Sequence, residues 1–288
     1  MVEVYVLNAF TKDGLGGNPA GVVPFAGHLP EEQMQQIATR LGFPETAFVM
    51  KSQKADYRLR FFTPNGEVDL CGHATIGTFS LLKKLNRIQP GSYKQETKAG
   101  ILSIDVRDDG TVFMEQSLPR FLGDVPVEEV ASALNIPPSV ILSDLPVRIV
   151  STGLRDILIP VADFTALNSI QPDFEKIAEI SRKYGVVGFH LFSLADGTGF
   201  VAHCRNFAPL YDIPEEAATG TSNGALGCYL WKYGQISAQQ ASKLTFGQGY
   251  SMNQPSEIVV YLKIREGEIS EIKVGGSTSE YRKINFRF

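Results

Sequence analysis

The sequence lacks most of the features that mark specialised protein classes. Its three cysteines, Cys71, Cys204 and Cys228, form no CxxC pair and no even set for a disulfide framework. That usage fits a reducing compartment. There is no excess of positive charge: 27 Lys and Arg stand against 31 Asp and Glu, a net charge of −4. No basic field is therefore present to hold nucleic acid or anionic lipid. No apolar run approaches the roughly 18–20 residues of a membrane span. The opening MVEVYVLNAFTKDG has no basic segment followed by an apolar one, so it does not read as a signal peptide. A phosphate loop of the GxxxxGK[ST] type is absent. GLGGNPAG at 14–21 is not GxGxxG, and it puts Pro19 where a dinucleotide-binding turn would enter its helix. These absences predict a cytoplasmic protein without nucleic-acid or membrane partners.

What is present is an ordinary globular mix, 43% hydrophobic and 20% charged, over 288 residues. That length fits two domains or one large α/β domain. An internal repeat supports two. CGHATIGTFSLLKK (71–84) lies on TGTSNGALGCYLWK (219–232), with Gly72 on Gly220, Leu82 on Leu230 and Lys84 on Lys232. Upstream, RFFTP (60–64) matches RNFAP (205–209), and LPEEQMQQIATRLGF (29–43) resembles QPDFEKIAEISRKYG (171–185). Both of the last pair carry proline at the expected first helical position, then acids, then a terminating glycine. Three matches in one order, offset by about half the chain, argue for a duplicated unit.

Residues 2–8, 46–50, 57–62 and 100–107 are short, β-rich and partly alternating, and DDG at 108–110 predicts a hairpin. Met34, Ile37, Ala38 and Leu41 fall on one helical face. Residues 72–85 are apolar or small nearly all round, as in a buried helix. The expected fold is α+β: two pseudo-symmetric halves, each a mostly antiparallel sheet rolled around a central helix. The expected boundaries are 1–120 plus roughly 277–288 for the first half and 121–276 for the second. The seam is expected between Pro119 and Pro126, with EISEIKVGG (268–276) returning toward the first half.

A buried central helix exposes its first N–H groups only at its N-terminal end, which favours an anion there. If the halves face each other, helix starts 72–75 and 220–223 open into one cleft. The predicted ligand is a small carboxylate-bearing molecule. Glu45 is a lone acid among apolar residues after Gly42, and burial there is expected to raise its pKa toward that of a useful proton carrier. Its partner by repeat falls near Gly188, so one half alone carries the carboxylate. His73, in a first helical turn, can serve chemistry or simply cap and pack. Cys71, at a helix start, is expected to have a lowered pKa and can act as base or nucleophile. His203-Cys204 reads as core, with no second pair at zinc spacing, so no metal is expected.

The motifs GNPAGVV (17–23), ETAF (45–48), RFFTPNGEVDLCGHATIGT (60–78), EEAATGTSNG (215–224), QGYSMNQPSEI (248–258) and VGG (274–276) resemble the phenazine-biosynthesis PhzF-like family over essentially the whole chain. The resemblance implies the diaminopimelate epimerase fold with a site between the halves. It also implies a homodimer and a cofactor-independent isomerase without metal. Glu45 then matches the family's proton-moving glutamate, His73 its histidine after the CG dipeptide, and Glu216 its aspartate. Substrate-binding positions are expected at Asn18, Gly72, Ala74, Thr219, Gly220, Thr221 and Ser222. Glu216, Ala217 and Thr221 depart from the usual EDPATGS, so this loop and its ligand contacts are expected to differ. Two alternatives stay open: a one-thiol epimerase or dehydratase using Cys71, and a non-catalytic binding or interaction protein.

Overall fold

The computed structural model describes residues 1–195 and 199–288. The chain divides into two compact units, Met1–Glu115 with Gly275–Phe288, and Gln116–Val274. Among the described residues, no helix is long and apolar enough to cross a membrane.

The first unit contains β1 (Val2–Ala9), β2 (Asn18–Val23), α1 (Glu31–Leu41), β3 (Glu45–Met50), β4 (Tyr57–Thr63) and β5 (Gly66–Val68). It continues with α2 (Gly72–Lys84), β6 (Gly91–Thr97), β7 (Gly100–Val106) and β8 (Val112–Gln116), whose last residue begins the second unit. β1 and β2 are antiparallel, and β2 and β3 are parallel with α1 as the crossover. β4 pairs antiparallel with β3 and β5 and parallel with β6, and β6, β7 and β8 form a meander. α1 buries Met34, Ile37 and Ala38 against Val4, Val23, Phe48 and Phe62. Gly42 ends it in the left-handed conformation, at φ 66°. Pro30 is the N-cap of α1 rather than its first helical residue, because the helix begins one residue later than its composition suggests. α2 is buried from His73 to Leu82 and touches β1, β2 and β3 as well as β7. The sheet therefore wraps it.

The second unit contains β9 (Arg120–Asp124), α3 (Val127–Leu134), β10 (Arg148–Ser151), β11 (Arg155–Pro160), α4 (Phe164–Ser169) and α5 (Phe174–Tyr184). There follow β12 (Gly188–Leu194), β13 (Ala202–Ala208), β14 (Ile213–Glu216), α6 (Gly220–Lys232), α7 (Ala238–Ala241), β15 (Leu244–Gln248), β16 (Ser256–Arg265) and β17 (Glu268–Gly276). β17 belongs to this unit as far as Val274, and the closing strand β18 (Arg282–Phe286) pairs with β1 in the first.

The pairing order repeats. β11 and β12 are parallel, β12 and β13 antiparallel, and β13 pairs with β14 and, in parallel, with β15. α1 and α5 each have 11 residues, and α2 and α6 each have 13. Thr46 faces Phe62 as Phe189 faces Phe207, so Glu45 and Gly188 occupy equivalent places. The matched arginines do the same work. Arg60 grips Glu67 through Nε and Nη2, both at 2.7 Å, and lies over Phe62. Arg205 grips Glu215 at 2.8 and 2.9 Å and lies over Phe207. Such bidentate pairs pin a strand to the next one, β4 to β5 and β13 to β14.

Gly188 is required by packing. A Cβ there would lie 1.9 Å from the Phe207 carbonyl oxygen. Gly188→Ala is expected to destabilise the protein by about 3 kcal/mol or more, read as a lower urea midpoint at unchanged slope.

Candidate active site

β3 begins with Glu45, directly after the Gly42-Phe43-Pro44 turn, and α2 begins beside it. The Glu45 carboxylate lies 3.2 Å from His73 Nε2, with the two side chains 15% and 5% exposed. Cys71 is the N-cap of α2, and its sulfur accepts the Ala74 N–H at 3.5 Å. The same sulfur is 3.4 Å from His73 Nδ1. The Asn18 amide nitrogen is 3.3 Å from that Nδ1. Glu45, His73, Cys71 and Asn18 thus form one buried polar group at a helix start.

The protonation states differ from the sequence-based expectation for two residues. Burial pushes the Glu45 carboxyl up, but the adjacent His73 charge, with hydrogen bonds from His73 and Cys71, holds it below its ordinary value. Burial lowers His73, but Cys71 and Glu45 outweigh it and hold the imidazole well above 6.5. The pair rests as carboxylate and imidazolium. Cys71 is pushed up to about 11 by burial and by the Glu45 charge, not lowered by the helix start. It rests as a thiol. Glu45, Cys71 and His73 also form a group whose ligand-type atoms all lie within 4.8 Å of one another, which could hold a metal ion. Both ring nitrogens of His73 are already engaged, with Asn18 and with Glu45. A metal would have to displace one of these contacts.

In the second unit β14 ends at Glu216, and Thr219 is the N-cap of α6. Thr219 makes no side-chain cap. Its hydroxyl donates to Glu216 Oε2 at 2.5 Å and accepts from Gln248 Nε2 at 3.0 Å. Gln248, fully buried on β15, also donates to the Glu216 carbonyl. Its oxygen accepts from the Thr219 N–H and from Asn223 Nδ2. All four hydrogen-bonding positions of that amide are used. It fixes the 216–219 turn against α6.

The expected binding residues divide by exposure. Gly72, Thr219, Gly220 and Thr221 are half-buried, whereas Asn18, Ala74 and Ser222 are buried. The Ala74 N–H is taken by Cys71, and the Ser222 hydroxyl donates to Asp156 Oδ2 at 2.6 Å. Asp156 and Gln248 escaped the sequence reading. Asp156 stands on β11 opposite Gly188, and burial pushes it up to about 6. Its signal was the one used for Glu45: a lone acid beside an apolar run, here ILIP. Gln248 lay inside the quoted motif QGYSMNQPSEI with nothing to separate it from its neighbours. Cys204 is core, with its S–H directed at Asn223 Oδ1, while His203 is half-buried against the Phe164 and Tyr250 rings.

The model of the phenazine biosynthesis-like protein family matches residues 7–282. A Deinococcus radiodurans protein named an uncharacterized isomerase is 37% identical, over 96% of this chain and 91% of its own length. A Pseudomonas fluorescens trans-2,3-dihydro-3-hydroxyanthranilate isomerase is 28% identical, over 96% of each chain. The crystal structure of a Bacillus anthracis phenazine biosynthesis protein of the PhzF family superposes with a TM-score of 0.88 at 30% identity, covering 99% of both chains. The structures of a predicted epimerase from Pseudomonas aeruginosa and a probable proline racemase from Agrobacterium radiobacter share the fold at lower identity. With these matches spanning nearly its full length, and with the duplicated sheet-and-helix unit that the resemblance implied, the chain belongs to the phenazine biosynthesis-like PhzF family.

Proposed function

We propose that this isomerase moves a proton within a small carboxylate-bearing molecule, with Glu45 as its single acid and base. Glu45 takes a proton from a carbon next to a carboxylate or conjugated system and returns it at another carbon on the same face. The observation that carries this reading is the buried Glu45–His73 ion pair beside the start of α2. A base must be ionised to abstract a proton, and His73 keeps Glu45 ionised despite its burial. His73 orients the carboxylate and offsets its charge. The helix starts 72–75 and 220–223, whose first backbone N–H groups favour an anion, are assigned to holding the developing negative charge. The structural counterpart of Glu45 is Gly188, which has no room for a side chain and so supplies no second base.

The first substrate to try is trans-2,3-dihydro-3-hydroxyanthranilate, which the Pseudomonas fluorescens relative is named for. The Glu216, Ala217 and Thr221 departures lead us to extend the panel to other small carboxylates with an acidic C–H bond. Turnover in D₂O should place deuterium at the new C–H position unless the shielded carboxylate returns its own proton before exchange. The thiol alternative is disfavoured, because Cys71 rests protonated and its sulfur caps α2.

Glu45→Gln keeps the shape of the side chain and removes the proton carrier. Its rate should fall by more than the ~10²–10⁴ typical of an auxiliary acid/base, with ligand binding retained. Glu45→Asp should lie between it and wild type, and His73→Asn should lose less than Glu45→Gln. A wild-type rate for Glu45→Gln beside a dead His73→Asn would reverse the assigned roles.

Cys71→Ser should keep most of the activity. A loss of about a thousand-fold, with Glu45→Gln nearly normal, would move the chemistry to the thiol.

The pH profile follows from the ion pair. Activity should fall on the acid side only below 4.5, as Glu45 is protonated, and on the alkaline side only well above 6.5, as His73 loses its proton. The pair also stabilises the fold. The Glu45 share is present above 4.5 and is lost as pH falls through its lowered value; the His73 share is present below 6.5 and is lost as pH rises through its raised one. Urea midpoints of wild type and Glu45→Gln should differ most between 4.5 and 6.5.

A further inference from the structure

The GNPAG motif delivers Asn18, one of the substrate-binding positions that the resemblance implies, to a buried place beside His73. Asn18 opens β2, directly across from Ala9 on β1. Its position is fixed by the connection before it. Lys12 and Leu15 exchange both backbone hydrogen bonds across Asp13-Gly14, which have φ of 51° and 79°. Asn8 Nδ2 donates to the Gly16 carbonyl at 2.7 Å. Gly17 has φ +79°, and a Cβ there would lie 2.5 Å from the Ala9 carbonyl oxygen, so it can only be glycine. Pro19 then restricts the Asn18 backbone to an extended form. A turn this constrained places its side chain with little freedom.

That side chain meets His73. The Asn18 amide is 3.3 Å from Nδ1, while Nε2 faces Glu45 at 3.2 Å. Asn18 is 2% exposed and His73 5%, so neither can turn to bulk water for a replacement partner. A neutral imidazole protonated at Nε2 needs a donor at Nδ1, and an imidazolium needs an acceptor there. We propose that Asn18 is a positioning residue for His73, whose amide offers Nδ1 an N–H in one orientation and a carbonyl oxygen in the other. His73 can then hold or release the Nδ1 proton inside the fold with a partner for Nδ1 in either state. The side-chain chemistry is specific: aspartate could only accept and leucine could do neither. Cys71, 3.4 Å from Nδ1, is a poor substitute, because sulfur is a weak partner and already accepts the Ala74 N–H. The titratable groups acting on His73 are Glu45 on β3 and Cys71 at the α2 cap.

This inference deepens the isomerase reading and rests on it for its purpose. When Glu45 gains a proton from substrate, the charge that holds His73 as an imidazolium disappears. A partner able to serve both states of the ring lets it respond without rearranging the fold.

The experiment needs no substrate. Full-length protein labelled with ¹⁵N-histidine is followed by two-bond ¹H–¹⁵N correlation from pH 5 to about 10, with His73 assigned by its loss in His73→Asn. In Asn18→Asp, His73 should stay doubly protonated to higher pH than in wild type. In Asn18→Leu its midpoint should drop by about a pH unit or more. His190, buried in the second unit and held down to about 3, should stay neutral throughout and report that the variants are folded. Asn18→Asp is isosteric and keeps the test available if Asn18→Leu does not fold. Titration of His73 at the wild-type midpoint in the folded variants overturns the proposal. A wild-type rate in Glu45→Gln would overturn the isomerase chemistry instead and leave the titration result standing.

Discussion

A helix whose side chains are apolar or small on nearly every side can be stable only inside something. α2 and α6 meet that condition, and the sheet of each unit is arranged around its own helix. The backbone of such a helix satisfies itself except at its ends. Its unpaired N–H groups are therefore confined to the first turn, where with the helix dipole they favour negative charge. Glu45 and His73 at the start of α2, and Glu216 and Thr219 at the start of α6, stand where that constraint puts them.

The two units keep the frame and differ in its polar fittings. The Arg60–Glu67 and Arg205–Glu215 clamps are retained at matched places, each with its phenylalanine. At the first residue of the strand after the outer helix, one unit has Glu45 and the other has Gly188. The second unit has a buried carboxylate on the neighbouring strand, Asp156, tied to Ser222. The helix starts differ as well. Cys71 caps α2 through its sulfur, whereas the Thr219 hydroxyl is held away from α6 by Glu216 and Gln248. The duplicated scaffold thus carries one buried ion pair in one unit and, in the other, one turn locked by a saturated amide.

Charge is where burial and pairing compete. A carboxylate buried alone is pushed toward its neutral form, while one buried beside an imidazolium is held ionised. Glu45 is the second case, because α2 brings His73 Nε2 to 3.2 Å. Asp156 is the first, because its partners are a hydroxyl and a backbone N–H, which offset only part of the desolvation. The same Glu45 charge that is compensated by His73 acts on Cys71 in the opposite sense and keeps the thiol protonated. One ion pair therefore decides which side chain of the trio is ready to accept a proton.

Much of the architecture was legible in the residues. Period-3.6 patterning in Met34, Ile37 and Ala38, the terminating Gly42, and the all-round apolar run after Gly72 identify the outer and central helices, because amphipathicity and caps are local properties. The repeat of Gly72 with Gly220 and of Arg60 with Arg205 identifies the duplication, because equivalent packing demands equivalent residues. Glu45 and His73 stood out as polar residues in apolar surroundings. Their charge states did not, and neither did the roles of Asn18, Asp156 and Gln248. Each of these depends on an atom far along the chain: His73 for Asn18, Gly188 and Ser222 for Asp156, Thr219 and Asn223 for Gln248. The sequence by itself determined which segments are buried and where helices start. The tertiary structure decided which buried polar atoms meet, because hydrogen bonds and ion pairs act over about three ångströms and strand register sets which atoms come within that reach.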